Sequence, residues 1–179
     1  MDRVMFLCFL VIYLSLVKSL WGSPLQNDQE GSGENLKEAL RHELVQDGWF
    51  LIDSYAYKVT NESQNWSQTR EICKNMGAHL AHKGIRNNIL KLKLARAIIG
   101  DRYWDGVWLG FNDLSAETIW VWLDGTRANC DVVRWGKEEP NGHRLENCGE
   151  LWGEFRSYFI NDNVCSEHRE GLCERKIVP

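Results

Sequence analysis

Apolar residues recur at helical spacing in the first half of the chain and in short strand-like blocks in the second. Leu36, Leu40 and Leu44 lie four apart between Asn35 and Gln46, with Asn35 placed to cap, which predicts about three turns of amphipathic helix. Trp49-Phe50-Leu51-Ile52 and Tyr55-Ala56-Tyr57-Lys58-Val59 read as paired strands at the start of the folded unit, near Gly48. Ser67 is then placed to cap a helix that carries Trp66, Ile72, Cys73 and Met76 on one face and closes at Gly77. A second helix is expected over Ile85 to Ile99, where Ile85, Ile89, Leu92 and Ile99 repeat at helical spacing before Gly100.

From Val107 the pattern changes to β pieces separated by turns: Val107 to Gly110, Trp120 to Trp122, Asn147 to Trp152, Ser157 to Ile160 and Gly171 to Arg175. The stretch between Asn112 and Gly149 is rich in Gly, Asn, Asp and Glu and too long for an ordinary connection, which marks it as functional. Helices followed by a twisted antiparallel sheet, with the acid-rich loops between strands, make an α+β domain.

The N-terminus changes the domain picture. Arg3 precedes an uncharged apolar run from Val4 to Val17 that is short for a bilayer span, with Ser19, Gly22 and Ser23 behind it. This predicts an export signal over residues 1–19, cleaved after Ser19 or alternatively Gly22, and a secreted, extracellular protein. Residues 20–47 hold a polar linker containing Gly31-Ser32-Gly33 and the short helix, which either packs on the domain or self-associates; residues 48–179 form the domain.

The full chain carries 21 basic and 25 acidic residues. Losing Asp2, Arg3 and Lys18 with the signal leaves a formal charge of −5, a poor basis for nucleic-acid binding. Six cysteines become five: Cys73, Cys130, Cys148, Cys165 and Cys173. The odd count leaves one over, and any four of them allow three pairings. The sequons Asn61-Glu62-Ser63 and Asn65-Trp66-Ser67 fit a secretory route with glycan at Asn61 and Asn65.

The acid-rich region holds the candidate chemistry. Glu139-Pro140-Asn141, Glu146-Asn147-Cys148 and Asn161-Asp162 gather carboxylates and carboxamides, the oxygen donors that Ca²⁺ takes in sets of about 6 to 8. Zinc prefers His or Cys, and no histidine pair here has a convincing spacing; His79 and His82 read as structural. An X-Pro bond held cis at Pro140 turns its neighbours' carbonyls to one side.

Taken in order, these features resemble the C-type lectin domain. The residues that carry the likeness are Gly77-Ala78-His79-Leu80-Ala81, Val107-Trp108-Leu109-Gly110, the Glu-Pro-Asn triplet, Glu146-Asn147-Cys148, Asn161-Asp162 and Cys173, within Trp49 to Arg175. The resemblance implies two helices flanking twisted antiparallel sheets, with a long calcium-binding loop region. It also implies disulfides Cys73–Cys173 and Cys148–Cys165, worth about 4.7 and about 3 kcal/mol on the chain-entropy model. The extra cysteine pair that many relatives place around the opening hairpin is absent, since Gln46, Asp47 and Ala56 stand there. That is the short form of the domain.

By the same likeness, calcium is held by Glu139, Asn141, Glu146, Asn161 and Asp162. Sugar hydroxyls then meet the ion and Glu139, Asn141, Glu146 and Asn161, with His143 beside the ring. Glu-Pro-Asn is the family's mannose-type triplet, so the implied ligands are glycans with equatorial 3- and 4-hydroxyls: mannose, GlcNAc, glucose, and fucose through an equivalent pair. An auxiliary ion would use Asp113, Glu117 and Asn147, although Asn147 and Gly142 stand where relatives often have acids. Ile160 replaces the usual tryptophan before Asn161-Asp162. Homo-oligomers through the 35–46 helix or Cys130 are expected, because one such site binds weakly.

Two other functions compete. A glycosidase would use Glu139 and Glu146 as its acid pair, but metal ligation explains both better, so no enzyme is expected. A lectin-like module that binds a protein partner without sugar is the alternative.

Overall fold

A computed structural model describes residue 42 and residues 45–98, 104–129, 133–154 and 157–177. The expected export signal, the linker, most of the 35–46 helix and Cys130 lie outside the described residues. No helix among the described residues is long and apolar enough to cross a membrane.

The opening hairpin forms as expected, from β1 (Phe50–Ile52) and β2 (Tyr55–Val59). Helix α1 (Trp66–Asn75) follows and buries Trp66, Thr69 and Cys73. Its cap is Asn65, not Ser67: the Asn65 Oδ1 accepts the Gln68 N–H at 2.9 Å, while Ser67 lies inside the first turn and is exposed. A carboxamide two residues upstream reaches the same free N–H groups that a serine cap would satisfy. The short strand β3 (His79–Leu80) follows.

A 3₁₀ turn (Gly84–Arg86) and Asn87, whose Oδ1 accepts the N–H of Ile89 and Leu90, then start helix α2 (Asn88–Ile98). The buried stripe of α2 differs from the expected one. Leu90, Leu94 and Ala95 enter the core with Ile85, whereas Ile89 is 68% and Leu92 45% exposed. Apolar residues occupy both sides of this helix, so spacing alone admits two stripes, and tertiary packing selects the one next to Tyr57 and Leu172 in the core. Ile99, expected on that stripe, lies outside the described residues.

The remaining strands are β4 (Trp104–Asn112), β5 (Val121–Trp122), β6 (Cys148–Glu154), β7 (Ser157–Asn163) and β8 (Glu170–Lys176). The main strand order is β1-β2-β8-β4-β6-β7, with β3 against β8 and β5 against β4. The pairings are antiparallel except β4 with β8, which run parallel through Val107 opposite Glu170 and Trp108 opposite Gly171, so the sheet is mixed. That long-range pairing carries β8 across the middle of the fold.

Both implied disulfides are present, Cys73–Cys173 and Cys148–Cys165. The first joins α1 to β8, and the second ties the start of β6 to the turn after β7. Val107, Leu109 and Phe111 from β4 meet Leu151 from β6, Ile160 from β7 and Leu172 from β8 in one core. Buried aromatic rings extend this core under the loops: Phe111 lies 4.6 Å from Trp122 and 5.3 Å from Trp120, centroid to centroid. Gly149 allows that packing, because a Cβ there would run into the Phe111 ring.

Candidate functional site

The loop that carries Glu139-Pro140-Asn141 is zipped to β7 one residue before Asn161. Gly136 donates its N–H to the Ile160 carbonyl at 2.8 Å, and Ile160 donates to the Arg134 carbonyl at 3.3 Å. Trp135, between these two links, packs edge-on against Trp120 with centroids 4.9 Å apart and touches Phe111 at 5.7 Å. The ring therefore fixes the loop to the aromatic core. Ile160 fills the core at 2% exposure.

Beyond this anchor the chain turns at Glu138, whose φ is +70°, and passes through a cis Glu139-Pro140 bond. Asp162, 1% exposed, then receives the loop: its Oδ1 accepts the Asn141 N–H at 3.1 Å and its Oδ2 accepts the Gly142 N–H at 3.0 Å. Asn141 donates its Nδ2 to Glu139 Oε1 at 3.0 Å. Gly142 in turn lies against Glu146, because a Cβ built on Gly142 would meet the Glu146 side chain. Glu139, Asn141, Glu146 and Asp162 are thus brought to one corner.

Asn161 stands on β7, where its pair across the ladder is Glu150 of β6, and it lines a cavity with Glu139. Its Nδ2 donates to Glu150 Oε1 at 2.9 Å. Glu150 is 2% exposed, and Arg169 approaches it at 3.4 Å. The sequence reading missed Glu150 as a positioning residue. Its signal was present: Glu150 lies two residues past Cys148, within a predicted strand, at a polar position that the fold buries.

The auxiliary set divides. Asp113 and Glu117 line a cavity of about 30 Å³ together with His143, Glu146 and Asp162. Asn147 stays outside it, with its side chain donating to the Arg144 carbonyl at 3.0 Å and its own carbonyl accepting the Asp113 N–H. His143, at φ +45°, starts an exposed 3₁₀ turn (His143–Leu145) at the rim. The sequons stand apart from this corner: Asn61 is exposed and Asn65 caps α1.

The electrostatics of the corner are those of crowded acids. Burial, then the hydrogen bond and charge of Asp162 and the charge of Glu146, push the Glu139 carboxyl up to about 7. Burial and Asp162 raise Glu146, and burial raises Asp113, opposed by the Thr118 N–H that Asp113 accepts. Glu139 Oε2 and Asp113 Oδ1 are buried with no hydrogen-bond partner. Like charges gathered with unpartnered oxygens are costly unless a cation or protons compensate them. The donors are all hard oxygens, so the residues fit Ca²⁺. Among the described residues no three His, Cys, Asp or Glu side chains are grouped so that they could hold a metal ion by themselves.

The chain matches the family described as "Lectin C-type domain" over residues 62–175. It is 32% identical over 132 residues to a "C-type lectin mannose-binding isoform" of Notechis scutatus scutatus, covering 72% of this chain and 81% of that one. It is 28% identical over 130 residues to "C-type lectin domain family 4 member M" of Hylobates lar, covering 71% of this chain but only 30% of the relative's length. Among solved structures, "Trimeric structure of Kupffer cell C-type lectin receptor Clec4f" superposes with a TM-score of 0.64 at 24% identity, covering 83% of this chain and 94% of that one. At that identity the likeness speaks for the fold.

Proposed function

The chain belongs to the C-type lectin domain family, and on that premise we propose that it is a secreted, calcium-dependent lectin for mannose-type sugars. As a member it is a carbohydrate-recognition domain and not an enzyme. Calcium would be held by Glu139, Asn141, Glu146, Asn161 and Asp162, with Asp113 and Glu117 placed beside that set for an auxiliary ion. The observation that carries this reading is the Asp162 carboxylate, which draws Asn141 and Gly142 into the same corner as Glu139 and Glu146.

When bound, the ion supplies coordination to a vicinal hydroxyl pair. The protein's own groups do the rest. Glu139 and Glu146 accept from the sugar hydroxyls, and the Asn141 and Asn161 amide groups donate to them. Asn161 is held by Glu150 and Asn141 by the Asp162 clamp, so donors and acceptors stand in fixed order. A fixed order discriminates hydroxyl stereochemistry, because a sugar that presents the wrong arrangement leaves a polar group unpaired. The Glu-Pro-Asn order supports equatorial 3- and 4-hydroxyls, as in mannose, GlcNAc and glucose, with fucose through an equivalent pair.

A single site of this kind binds weakly, so self-association through residues 35–46 or Cys130 belongs to the proposal. A glycan array read with calcium and with EDTA tests it. Mannose-type glycans should bind only with calcium, and Glu139→Gln combined with Asn141→Asp, which gives the Gln-Pro-Asp order that the family resemblance links to galactose, should move binding toward galactose. Sugar binding that survives EDTA unchanged would sink the calcium mechanism.

A further inference from the structure

A cleft of about 640 Å³ opens beside α1, the segment following β3 and the end of β8, and it shares no residue with the oxygen-donor corner. Five of its lining side chains are cations: Arg70, Lys74, Lys83, Arg175 and Lys176. Its two acids are already committed. Glu174, 3% exposed, accepts the N–H groups of Lys83 at 2.9 Å and Gly84 at 2.8 Å. Asp124 accepts Arg86 Nη2 at 2.8 Å and the Thr126 hydroxyl at 2.7 Å. A chain of formal charge −4 thus gathers uncompensated positive charge in one concavity.

Of the five cations, Lys74 is bridged to Glu71 at 2.7 Å. The other four form no ion pair among the described residues. Two are arginines held by rings rather than by acids. The Arg175 guanidinium lies 4.6 Å from the Trp49 centroid, and that of Arg70 lies 5.8 Å from Trp66, with its Nε buried and unpartnered. A guanidinium stacked on a ring has already lost much of its freedom, yet keeps the planar N–H fork that matches two oxygens of a sulfate or phosphate group.

The four cations come from α1, the segment after β3, and β8, so they suit a ligand with several anionic groups better than a single ion. The volume lies in the range of pockets that enclose compact ligands. Extended polyanions such as nucleic acid would meet the negative charge of the remaining surface, whereas a short ligand meets only the cleft. We propose that this cleft binds a short oligosaccharide carrying sulfate or phosphate esters, through Arg70, Lys83, Arg175 and Lys176. The site is independent of the proposed calcium site.

The test is titration calorimetry of the full secreted chain, in EDTA at low salt, with three probes: a heparin-derived hexasaccharide, the same hexasaccharide desulfated, and a phosphorylated oligomannose. Binding is expected with one or both esterified probes and absent with the desulfated one, and the stronger probe identifies the ester. Lys83→Glu with Lys176→Glu should weaken binding by about tenfold or more with an unchanged melting temperature. Arg175→Lys, which keeps the charge but loses the fork, should weaken it severalfold. Lys137→Glu with Arg144→Glu, near the oxygen-donor corner, should leave it unchanged. No heat with either esterified probe, equal binding by the desulfated probe, or equal loss in both charge-reversed pairs would overturn the proposal. Since these titrations contain no calcium, failure of the sugar site leaves their outcome unaffected.

Discussion

Asp162 accepts the backbone N–H of Asn141 at 3.1 Å, and so ties together two segments 21 residues apart in the chain. Its second oxygen takes the Gly142 N–H at 3.0 Å, which makes this buried carboxylate the clamp on which the loop is hung. Positioning of the loop and the proposed ligation would thereby fall to one residue. The backbone of Asn141 and Gly142 is held by this one carboxylate.

The first prediction follows from that double role. Asp162→Ala removes the acceptor for two part-buried N–H groups and should cost about 1–3 kcal/mol in EDTA by urea unfolding. Glu146→Gln removes charge from a half-buried side chain that accepts no backbone N–H among the described residues, so it should weaken calcium binding with little loss of stability. Equal destabilisation by both substitutions would contradict the clamp.

How far the sequence foretold this corner varies residue by residue. Both bridges were legible only through the family likeness, since spacing alone left three pairings for any four of the five cysteines, whereas the grouping of oxygen donors is visible in the residue types themselves. The opening hairpin and the extent of α1 were legible from local pattern. Ser67 and Asn65 both have capping chemistry, and only backbone geometry gives the α1 cap to Asn65 rather than to the expected Ser67. The buried face of α2 differs from the expected one because Ile89, Leu90, Leu92 and Leu94 supply apolar residues to both sides. The parallel pairing of Val107 with Glu170 and the contact of Asn161 with Glu150 depend on long-range register, which no local spacing encodes.

Gly142 leads to a second prediction. It stands where the family resemblance leads to an acid, yet a Cβ here would run into Glu146. Gly142→Ala should therefore displace the Glu146 side chain and weaken calcium binding by about tenfold, the equivalent of about 1.4 kcal/mol. Calcium titration followed by intrinsic tryptophan fluorescence reads the change, and unaltered affinity would show that Glu146 yields without loss.

Asn65 carries a third, because it is both the α1 cap and a sequon residue. The cap uses Oδ1, while an N-linked glycan attaches to Nδ2, so the two uses are compatible. Asn65→Ala should lower stability by about 1 kcal/mol in unglycosylated protein, the usual cost of losing an N-cap. Ser67→Ala destroys the sequon but leaves the cap, and should be close to neutral. A matching loss in Ser67→Ala would return the cap to Ser67.

The last prediction concerns pH and rests on Glu139. In the fold without calcium its carboxyl titrates at about 7, raised by burial and by Asp162 and Glu146, whereas in the unfolded chain it titrates near the ordinary value of about 4.3. Between those values the folded protein holds a proton that the unfolded chain has released, so stability falls as pH rises. Glu146 and Asp113 are shifted in the same direction and add to the slope. Calcium should reverse it, because the proposed ligation requires the deprotonated carboxylates and would displace the proton. In EDTA these groups should therefore lower the melting temperature from pH 5 to pH 8, and Glu139→Gln should flatten that fall. Added calcium should raise the melting temperature of the wild type far more at pH 8 than at pH 5, and calcium binding at pH 6 should release protons into the buffer. An EDTA slope left intact by Glu139→Gln would remove Glu139 from the pH response and shift it to Glu146 and Asp113.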